Sequence, residues 1–268
     1  MGGVRLLVPA MPTCRAIFRF YEELNDFLPP ERRKRDIELP FEPPVPVRHL
    51  IENLGVPHTE VEVILVNGLS VGLEHPVKDG DRVSVYPVFE ALDITPLLRI
   101  RPKPLRNPRF LADAHLGKLA HLLRMLGLDT LFFNDAGDRY LATLSADQGR
   151  VLLTRDKALL MRRNITHGCY IRSGVPREQL LQVVHRLDLR QMIRPFSRCM
   201  ECNGLLHSIP KRHVESGLPI GVALHYNEFW RCAGCGRVYW KGHHYRAMQQ
   251  WIGHLNNEMI VRRQSDNH

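Results

Sequence analysis

The sequence lacks any apolar run close to the roughly 20 residues that a membrane-spanning helix needs. Its N-terminal apolar stretch is short and soon interrupted, which argues against a secretory signal peptide. No internal repeat is detectable, so the chain does not read as a repeat architecture. No helix that is both amphipathic and basic stands out either. We therefore expect a cytoplasmic protein that does not bind membranes.

Cysteine is scarce, with six residues in 268, and four of the six fall into two CxxC pairs. The remaining two, Cys14 and Cys169, could pair with each other, but in a reducing compartment we expect lone thiols. The pairs are Cys199–Cys202 and Cys232–Cys235. CxxC spacing lets two thiolates hold one metal ion from a single tight turn, and four thiolates favour zinc in a closed, structural site. The spacing predicts a small zinc module near the C-terminus.

The chain carries a formal net charge of +9 and an apolar fraction of 44%. That apolar fraction is enough for ordinary cores, and the length indicates two domains with room for a third small one. A basic balance of this size favours nucleic acid as the partner, although a solvated basic surface gives the same charge.

The N-terminal region, up to about residue 95, reads as strands around one helix. Ala16, Phe18 and Phe20 alternate with polar neighbours, and Val61, Val63 and Leu65 do the same. Between them an i, i+3, i+4, i+7 apolar pattern predicts a helix over 47–54, closed by Gly55. We expect the proline-rich stretch 38–47 to break the chain before that helix. This α+β order resembles the ubiquitin-like β-grasp fold.

A basic stretch at 99–109, dense in proline, is typical of a stiff linker. After it, short apolar runs alternate with helical patterns. The runs predict four strands near 110–112, 131–133, 151–153 and 169–171, and this alternation is typical of a parallel sheet covered on both faces.

Three aspartates stand at the ends of these elements: Asp113 after the first strand, Asp138 at the cap of the second helix, and Asp156 after the third strand. In an open parallel sheet, ligands bind beyond the carboxyl ends of the strands, so we expect these side chains to converge. Clustered carboxylates repel, and a hard divalent cation relieves that repulsion. The pattern predicts a Mg²⁺ or Mn²⁺ site able to hydrolyse a phosphodiester. Taken alone, aspartates at such positions are also ordinary turn and cap residues.

Five further residues are candidates for supporting roles at this site. Asp135 and Asp147 are possible additional ligands, Thr154 a possible hydrogen-bond donor to a carboxylate, and Arg155 and Lys157 possible attractors of phosphate.

At these residues the chain resembles a known family. FLADAHLGKLAHLLRMLGLDT, then DRYLATLSADQGRVLLTRDKALL, then the two CxxC pairs and YWKGHHYRAM resemble the Mut-seven C-terminal ribonuclease family, a branch of the PIN-like nucleases. The resemblance spans about residues 109–250 and implies a Mg²⁺/Mn²⁺ ribonuclease site at Asp113, Asp138 and Asp156. Bacterial members often carry a β-grasp domain ahead of the nuclease, which residues 1–95 resemble. The implied organisation is a ubiquitin-like domain (1–95), a basic linker (96–108), a PIN-like α/β nuclease domain (109–192), a zinc ribbon (193–250) and a tail (251–268).

The sequence departs from the family pattern at two places. Gln148 stands where members usually carry glutamate, which weakens the acidic site if that carboxylate is a ligand. The β-grasp region lacks the C-terminal Gly-Gly of sulfur carriers, so we expect it to dock a protein partner rather than transfer sulfur.

The ribbon contributes basic and aromatic side chains that could hold RNA. The basic ones are Arg198, Lys211, Arg212, Arg231, Arg237 and Lys241, and the aromatic ones are Trp230, Tyr239, Trp240 and Tyr245. Such aromatics also commonly cover a small metal core. We expect His243 and His244 to be surface or RNA-contacting groups rather than metal ligands.

The sequence thus predicts a ribonuclease with a structural zinc ion and a catalytic Mg²⁺ or Mn²⁺ ion. One alternative is a non-catalytic RNA-binding or ribosome-associated adaptor with a degenerate PIN fold. Another places the main role in the β-grasp domain, as a protein tether.

Overall fold

The computed structural model describes residues 14–87, 107–243 and 245–253. Within these ranges no helix combines the length and apolarity needed to cross a bilayer. Of the predicted linker at 96–108, residues 96–106 lie outside the described part of the chain, as do His244 and the tail after residue 253.

Strands and helices follow one another as the sequence predicts, with some differences at their ends. The N-terminal elements are β1 (Cys14–Phe20), β2 (Ile37–Phe41), α1 (Val47–Asn53), β3 (Val61–Val66), β4 (Leu69–Val71) and β5 (Arg82–Pro87). The central elements are β6 (Phe110–Ala112), α2 (Gly117–Met125), β7 (Thr130–Phe132), α3 (Asp138–Gln148), β8 (Val151–Thr154), α4 (Lys157–Leu160), β9 (Gly168–Tyr170) and α5 (Pro176–Arg186). The last are β10 (Leu206–Ile209), α6 (Ile220–His225), β11 (Phe229–Cys232) and β12 (Val238–Trp240), followed by helical residues 245–253.

The chain forms two compact units. The first comprises residues 1–104 together with 157–166, and the second comprises 105–156 and 167–268. The segment 157–166, which contains α4, therefore belongs to the unit built by the N-terminal region.

The first unit is a mixed five-stranded sheet in the order β2-β1-β5-β3-β4. Strands β1 and β5 are parallel, and the other neighbours are antiparallel. Ala16, Phe18 and Phe20 are buried, as their alternation predicts, and so are the apolar positions of α1, which ends before Gly55 at φ +93°. The predicted α+β arrangement is confirmed.

Two sequence expectations for this unit are wrong. Residues 37–41 form strand β2 although Pro40 lies within it, because β2 is an edge strand and an edge position tolerates a missing N–H. In β3 the register shifts between Val61 and Val63, so Ile64 and Val66 are buried instead of Leu65. A bulge inserts one residue and reverses the alternation beyond it.

Segment 157–166 is held by side chains from the N-terminal region. His58 Nε2 lies 2.8 Å from the carbonyl oxygen of Ile165, and its Nδ1 lies 2.7 Å from Glu52 Oε1. Arg48 donates both to Glu52 and to the carbonyl oxygen of Met161. Burial raises the pKa of Glu52, but the hydrogen bond from His58 and the charge of Arg48 outweigh it, so the pKa lies below its ordinary value. The glutamate is therefore an anion that orients the side chains of His58 and Arg48.

The second unit contains a four-stranded parallel sheet in the order β7-β6-β8-β9. Helices α2 and α5 pack together, and their apolar faces share one buried core with the sheet. Strands β10, β11 and β12 form a separate antiparallel sheet. Ile252 is buried in the core of the parallel sheet, so residues 251–253 pack on this unit although the sequence places them in a tail. The predicted fold class, an α/β parallel-sheet domain with a cysteine-rich C-terminal module and an N-terminal α+β domain, is confirmed.

We expect His58→Ala to lower the free energy of unfolding of the first unit by about 1–3 kcal/mol, because it removes one of the two partners of the half-buried Glu52 carboxylate and leaves the Ile165 carbonyl without its partner. Amide hydrogen exchange at 157–166 should accelerate. His49→Ala, on an exposed position of the same helix, is the control and should change neither quantity. Unchanged amide exchange at 157–166 in His58→Ala would show that His58 does not stabilise this segment.

Candidate functional site

The carboxyl ends of three adjacent parallel strands bring the predicted aspartates to one edge of the sheet. Asp113 follows β6, Asp156 lies two residues beyond β8, and Asp138 begins the helix that follows β7. Strands β6 and β8 are hydrogen-bonded neighbours although they are not consecutive in the chain. The topology thus places sequence-distant carboxylates along the edge where ligands of such sheets bind.

Thr154 links the first and third of these aspartates. Its Oγ1 donates to Asp113 Oδ2 at 2.6 Å and accepts from the backbone N–H of Asp156 at 3.0 Å. The N–H of Asp113 also donates to the carbonyl oxygen of Leu153 at 3.0 Å. Thr154 is fully buried and Asp113 is half-buried, so the carboxylate of Asp113 is held in one orientation by the strand beside it.

Asp135 and Asp138 lie on the loop and first helical turn after β7. Gly137 is the N-cap of α3 and Asp138 its first residue, so the helix begins one residue earlier than the sequence pattern, with Asp138 as the cap, predicts. Both aspartates are exposed. A carboxylate in the first turn of a helix interacts favourably with the helix dipole, so that role alone accounts for Asp138 at this position.

The aspartate oxygens are not gathered as tightly as the cysteine sulfurs. Among the described histidine, cysteine, aspartate and glutamate residues, the only group of three or more whose ligand atoms all lie within 4.8 Å of one another consists of the four cysteines. The aspartates therefore share an edge without forming a closed ligand set. Magnesium commonly keeps several waters and uses only one or two carboxylates, so this wider spacing still suits it.

Asp147 and Gln148 lie at the other end of α3, immediately before the amino end of β8. Nine residues separate Asp147 from Asp138, which is about 13 Å along the helix. Gln148 Oε1 accepts a hydrogen bond from Arg150 Nε at 2.7 Å. This position gives no support to Asp147 as an additional ligand. Gln148, which stands where family members usually carry glutamate, likewise lies at the edge of the sheet opposite Asp113.

The two predicted phosphate-attracting cations differ in placement. Arg155 is exposed, and its guanidinium lies beside Gly174 in the loop after β9, at the aspartate edge: a Cβ on Gly174 would be 3.6 Å from Arg155 NH1. Lys157 belongs to the first unit, where its ammonium lies 5.0 Å from the centroid of the Phe27 ring. That contact supports a packing role for Lys157 and gives no support to phosphate binding.

The four cysteines form the tetrad that the sequence predicts. Cys199 Sγ lies 3.7 Å from Cys235 Sγ, and Cys202 Sγ lies 3.3 Å from Cys232 Sγ. Tetrahedral zinc with Zn–S bonds of about 2.3 Å requires sulfur–sulfur distances of about 3.8 Å. All four ligand atoms lie within 4.8 Å of one another, so the donor set and its spacing fit zinc without a large rearrangement.

Both CxxC turns use the same backbone device. The residue after the second cysteine of each pair, Asn203 or Gly236, has a positive φ, at 70° and 73°. Gly204 follows the first turn, and a Cβ there would lie 2.8 Å from Cys232 Sγ, so only glycine allows the two turns to approach.

Hydrogen bonds around the tetrad favour thiolates on some of its members. Burial raises the pKa of Cys232, but the N–H groups of Cys235 and Gly234 and the neighbouring sulfurs lower it to about 7. Tyr239 lies with its hydroxyl 3.0 Å from Cys199 Sγ, and burial together with that sulfur raises the pKa of Tyr239. Tyr239 therefore keeps its proton and can donate a hydrogen bond to Cys199 Sγ.

The carboxylate of Asp129, at the amino end of β7, joins the first CxxC turn to the parallel sheet. It accepts from Arg150 NH1 at 2.7 Å, from Asn203 Nδ2 at 2.9 Å and from Arg198 NH2 at 3.2 Å. Burial raises the pKa of Asp129, but these donors outweigh it and hold the pKa below its ordinary value. Asn203 Oδ1 also accepts from the backbone N–H of Thr130.

Arg124 adds a second connection of the same kind. It donates to the carbonyl oxygens of Thr130, Met200 and Glu201 at 2.9, 3.0 and 2.6 Å. Sequence reasoning missed both Asp129 and Arg124, because neither lies in a recognisable motif. A buried arginine and a half-buried aspartate in an otherwise apolar stretch can be interpreted only once their partners are known.

Comparison with known proteins assigns both parts of the chain to families. Residues 108–252 match the family described as the Mut7-C RNAse domain, and residues 13–93 match the family described as Mut7-C ubiquitin. No curated protein and no solved structure matches the chain significantly.

We expect Cys232→Ser to abolish stoichiometric zinc binding and to unfold the sheet β10–β12, because structural zinc provides most of the folding free energy of such small modules. Zinc content and amide exchange measure the two effects, and β6–β9 should keep their protection. Cys14→Ser, outside the tetrad, is the control. A Cys232→Ser protein that retains zinc and the protection of β10–β12 would refute the assignment.

We expect Asp129→Asn to lower the free energy of unfolding of the second unit by about 1–3 kcal/mol at neutral pH, since two arginines and Asn203 lose a charged acceptor. Because the folded pKa is depressed, the contribution is present above the unfolded value of about 3.9 and is lost as pH falls below it. Urea unfolding at pH 7 and at pH 3 should therefore show a difference from wild type that shrinks in acid.

Asp36→Asn is the matched control for Asp129→Asn. Asp36 also pairs with two arginines, Arg19 and Arg82, but on an exposed surface, so we expect about 0–1 kcal/mol. Equal losses for the two variants would show that the Asp129 pairs are no more than ordinary surface ion pairs.

Proposed function

Because the chain belongs to the Mut7-C RNAse domain family, we propose that it hydrolyses RNA phosphodiester bonds with a Mg²⁺ or Mn²⁺ ion held by Asp113, Asp138 and Asp156. The observation that carries the proposal is the shared carboxyl edge of three adjacent parallel strands, with Thr154 bridging Asp113 and the backbone of Asp156.

Asp113 is the best-oriented ligand of the proposed set. The hydrogen bond from Thr154 fixes the rotamer of its carboxylate and uses one lone pair of Oδ2, which leaves the other lone pairs for a cation. A half-buried, pre-oriented carboxylate loses little side-chain entropy when it binds an ion. We expect Asp113 to contribute more to metal affinity than the exposed Asp138 or Asp156.

The donor set determines the kind of ion. Carboxylate oxygens without nitrogen or sulfur neighbours favour Mg²⁺ or Mn²⁺, whereas the four sulfurs of the ribbon favour zinc. The exposed Asp135 is placed to bind the ion through a water molecule. The chain thus separates a structural and a catalytic metal by ligand chemistry.

A bound Mg²⁺ or Mn²⁺ supplies a Lewis acid for the phosphoryl oxygens and for the attacking water. The protein contributes the ligands, their orientation by Thr154 and a cation for the backbone of the substrate. Arg155 serves as that cation, since its guanidinium lies at the same edge, beside Gly174.

A non-catalytic RNA-binding adaptor is the second candidate function. The wide spacing of the aspartate oxygens favours it, since no described group of three carboxylates has all its ligand atoms within 4.8 Å. An adaptor of this kind would bind RNA with or without divalent ions and would cleave under neither condition. For the ubiquitin-like region we propose a protein-docking role, which its family match supports.

We expect Asp113→Asn and Asp156→Asn each to lower cleavage of a labelled single-stranded RNA by about 100-fold or more, equivalent to about 3 kcal/mol of transition-state stabilisation. Asp147→Asn is the matched control, because it removes the same charge at the other end of α3. Zinc-replete protein should be assayed with and without added Mn²⁺, so that the ribbon keeps its metal in both arms.

Two results would decide between the candidates. Equal cleavage by the Asp113→Asn/Asp156→Asn double variant and wild type would reject the proposed site. RNA binding without any Mn²⁺-dependent cleavage in wild type would establish the adaptor instead.

A further inference from the structure

A cavity of about 610 Å³ lies within the second unit, between the β10–β12 sheet and the α2 side of the parallel-sheet core. It has no part in the zinc tetrad or the aspartate edge. Its volume is in the range of ordinary small-ligand sites, which are typically about 300–1,000 Å³.

Five aromatic side chains contribute to the walls of this cavity. They are Phe196, Trp230, Tyr239, Trp240 and Tyr245, and all are only partly buried. Trp230 and Tyr239 are directly opposed residues of β11 and β12, so their rings leave the sheet on one face. The Phe196 and Tyr245 rings pack at 4.3 Å between centroids. A half-buried aromatic wall of this kind matches the flat face of a nucleobase.

The charged residues around the cavity are mostly cationic. Arg198, Arg237 and Lys241 line it, and the one lining carboxylate among the described residues is Glu201. Arg237 pairs with Glu201 and Lys241 with Glu228, both on exposed surface, where such pairs contribute about 0–1 kcal/mol and are readily exchanged for phosphate. Lys241 Nζ also lies 5.2 Å from the centroid of the Trp230 ring. If a nucleobase stacks on Trp230, the phosphate of the same nucleotide lies within reach of the Lys241 ammonium.

Helix α2, which follows Asp113, also contributes to the cavity wall. His121 lines the cavity, and Gly117, where α2 begins, follows Asp113 by four residues. The hydrogen bonds of Asp129 and Arg124 fix the first CxxC turn, beside the cavity, to the same sheet that carries Asp113.

We propose that this cavity binds one unpaired nucleobase of an RNA strand, stacked on Trp230, with the adjoining phosphate held by Lys241 and Arg237. The inference rests on the proposed function and narrows it to single-stranded RNA, since a base within a duplex cannot leave its stack to enter without unpairing. The positive rim favours RNA over an apolar peptide as the occupant.

The test uses the full-length, zinc-loaded chain without added Mg²⁺ or Mn²⁺, and a fluorescein-labelled octauridylate as the probe. We expect Trp230→Ala to weaken binding by about 5- to 150-fold, the range for loss of one stacked base. Trp230→Phe should stay within about 3-fold of wild type, because it keeps an aromatic face. Leu224→Ala is the control, an exposed apolar position of the same module outside the cavity.

A second pair of variants tests the phosphate contact without risk to the fold. Lys241→Gln should weaken binding and reduce the slope of log affinity against log salt by about 0.7, the value for one phosphate of a single strand. Lys78→Gln removes the same charge from an exposed position of the first unit and should leave the slope unchanged. Equal slopes for the two variants would overturn the contact.

The remaining outcomes also decide the proposal. An octamer with abasic sites that binds as tightly as the intact one, or a Trp230→Ala protein that keeps its zinc and binds as wild type does, would reject base stacking. A tryptophan-containing peptide that occupies the cavity while octauridylate does not would assign it to a protein partner. These experiments measure binding and not cleavage. A chain that binds octauridylate in the cavity but never cleaves RNA would therefore support this inference and reject the catalytic proposal.

Discussion

The carboxylate of Asp129 holds the two halves of the second unit together. It receives hydrogen bonds from Arg150, beside β8, and from Arg198 and Asn203, at the first CxxC turn. A carboxylate shared by two guanidinium groups and an amide is oriented by all three donors, and the resulting depression of its pKa keeps it ionised. The zinc tetrad and the parallel sheet are consequently parts of one body. The cavity beside the ribbon and the aspartate edge are thereby carried by one unit, as the proposed RNA contacts would require.

The aspartate edge depends on a different constraint, the parallel pairing of strands that are distant in sequence. Strand β8 lies beside β6, so Thr154 reaches Asp113 across 41 residues of chain. The cysteine tetrad and the proposed oxygen site differ in how complete they are. The four sulfurs form a closed donor set with nearly the spacing that a structural metal site needs. The proposed oxygen site is open, because no described group of three carboxylates has all its ligand atoms within 4.8 Å, and such a site would leave coordination positions for water and phosphate.

The first unit adds a connection that neither family boundary indicates. Residues 157–166 fall within the match to the RNAse domain, yet they are held by His58 and Arg48 and cluster with the ubiquitin-like region. This segment begins directly after Asp156. If the ubiquitin-like region were joined to the nuclease only through a linker, residues 157–166 would be expected to cluster with the nuclease sheet. Here His58 and Arg48 instead provide hydrogen-bond partners for the carbonyl groups of that segment.

The sequence by itself determined the features that follow from local pattern: the zinc tetrad from CxxC spacing, the helices and strands from apolar periodicity, and the aspartates from their places at strand ends. Predictions from the sequence were wrong where pairing between distant strands overrode local preference, as at Pro40 in an edge strand and at the bulge in β3. Only the tertiary structure decided that Asp147 and Gln148 lie at the opposite edge from Asp113, that Lys157 packs in the first unit, and that Asp129 joins ribbon to sheet. These facts concern which distant residues become neighbours. That choice is made by the burial and hydrogen bonding of whole elements, and no local pattern records it.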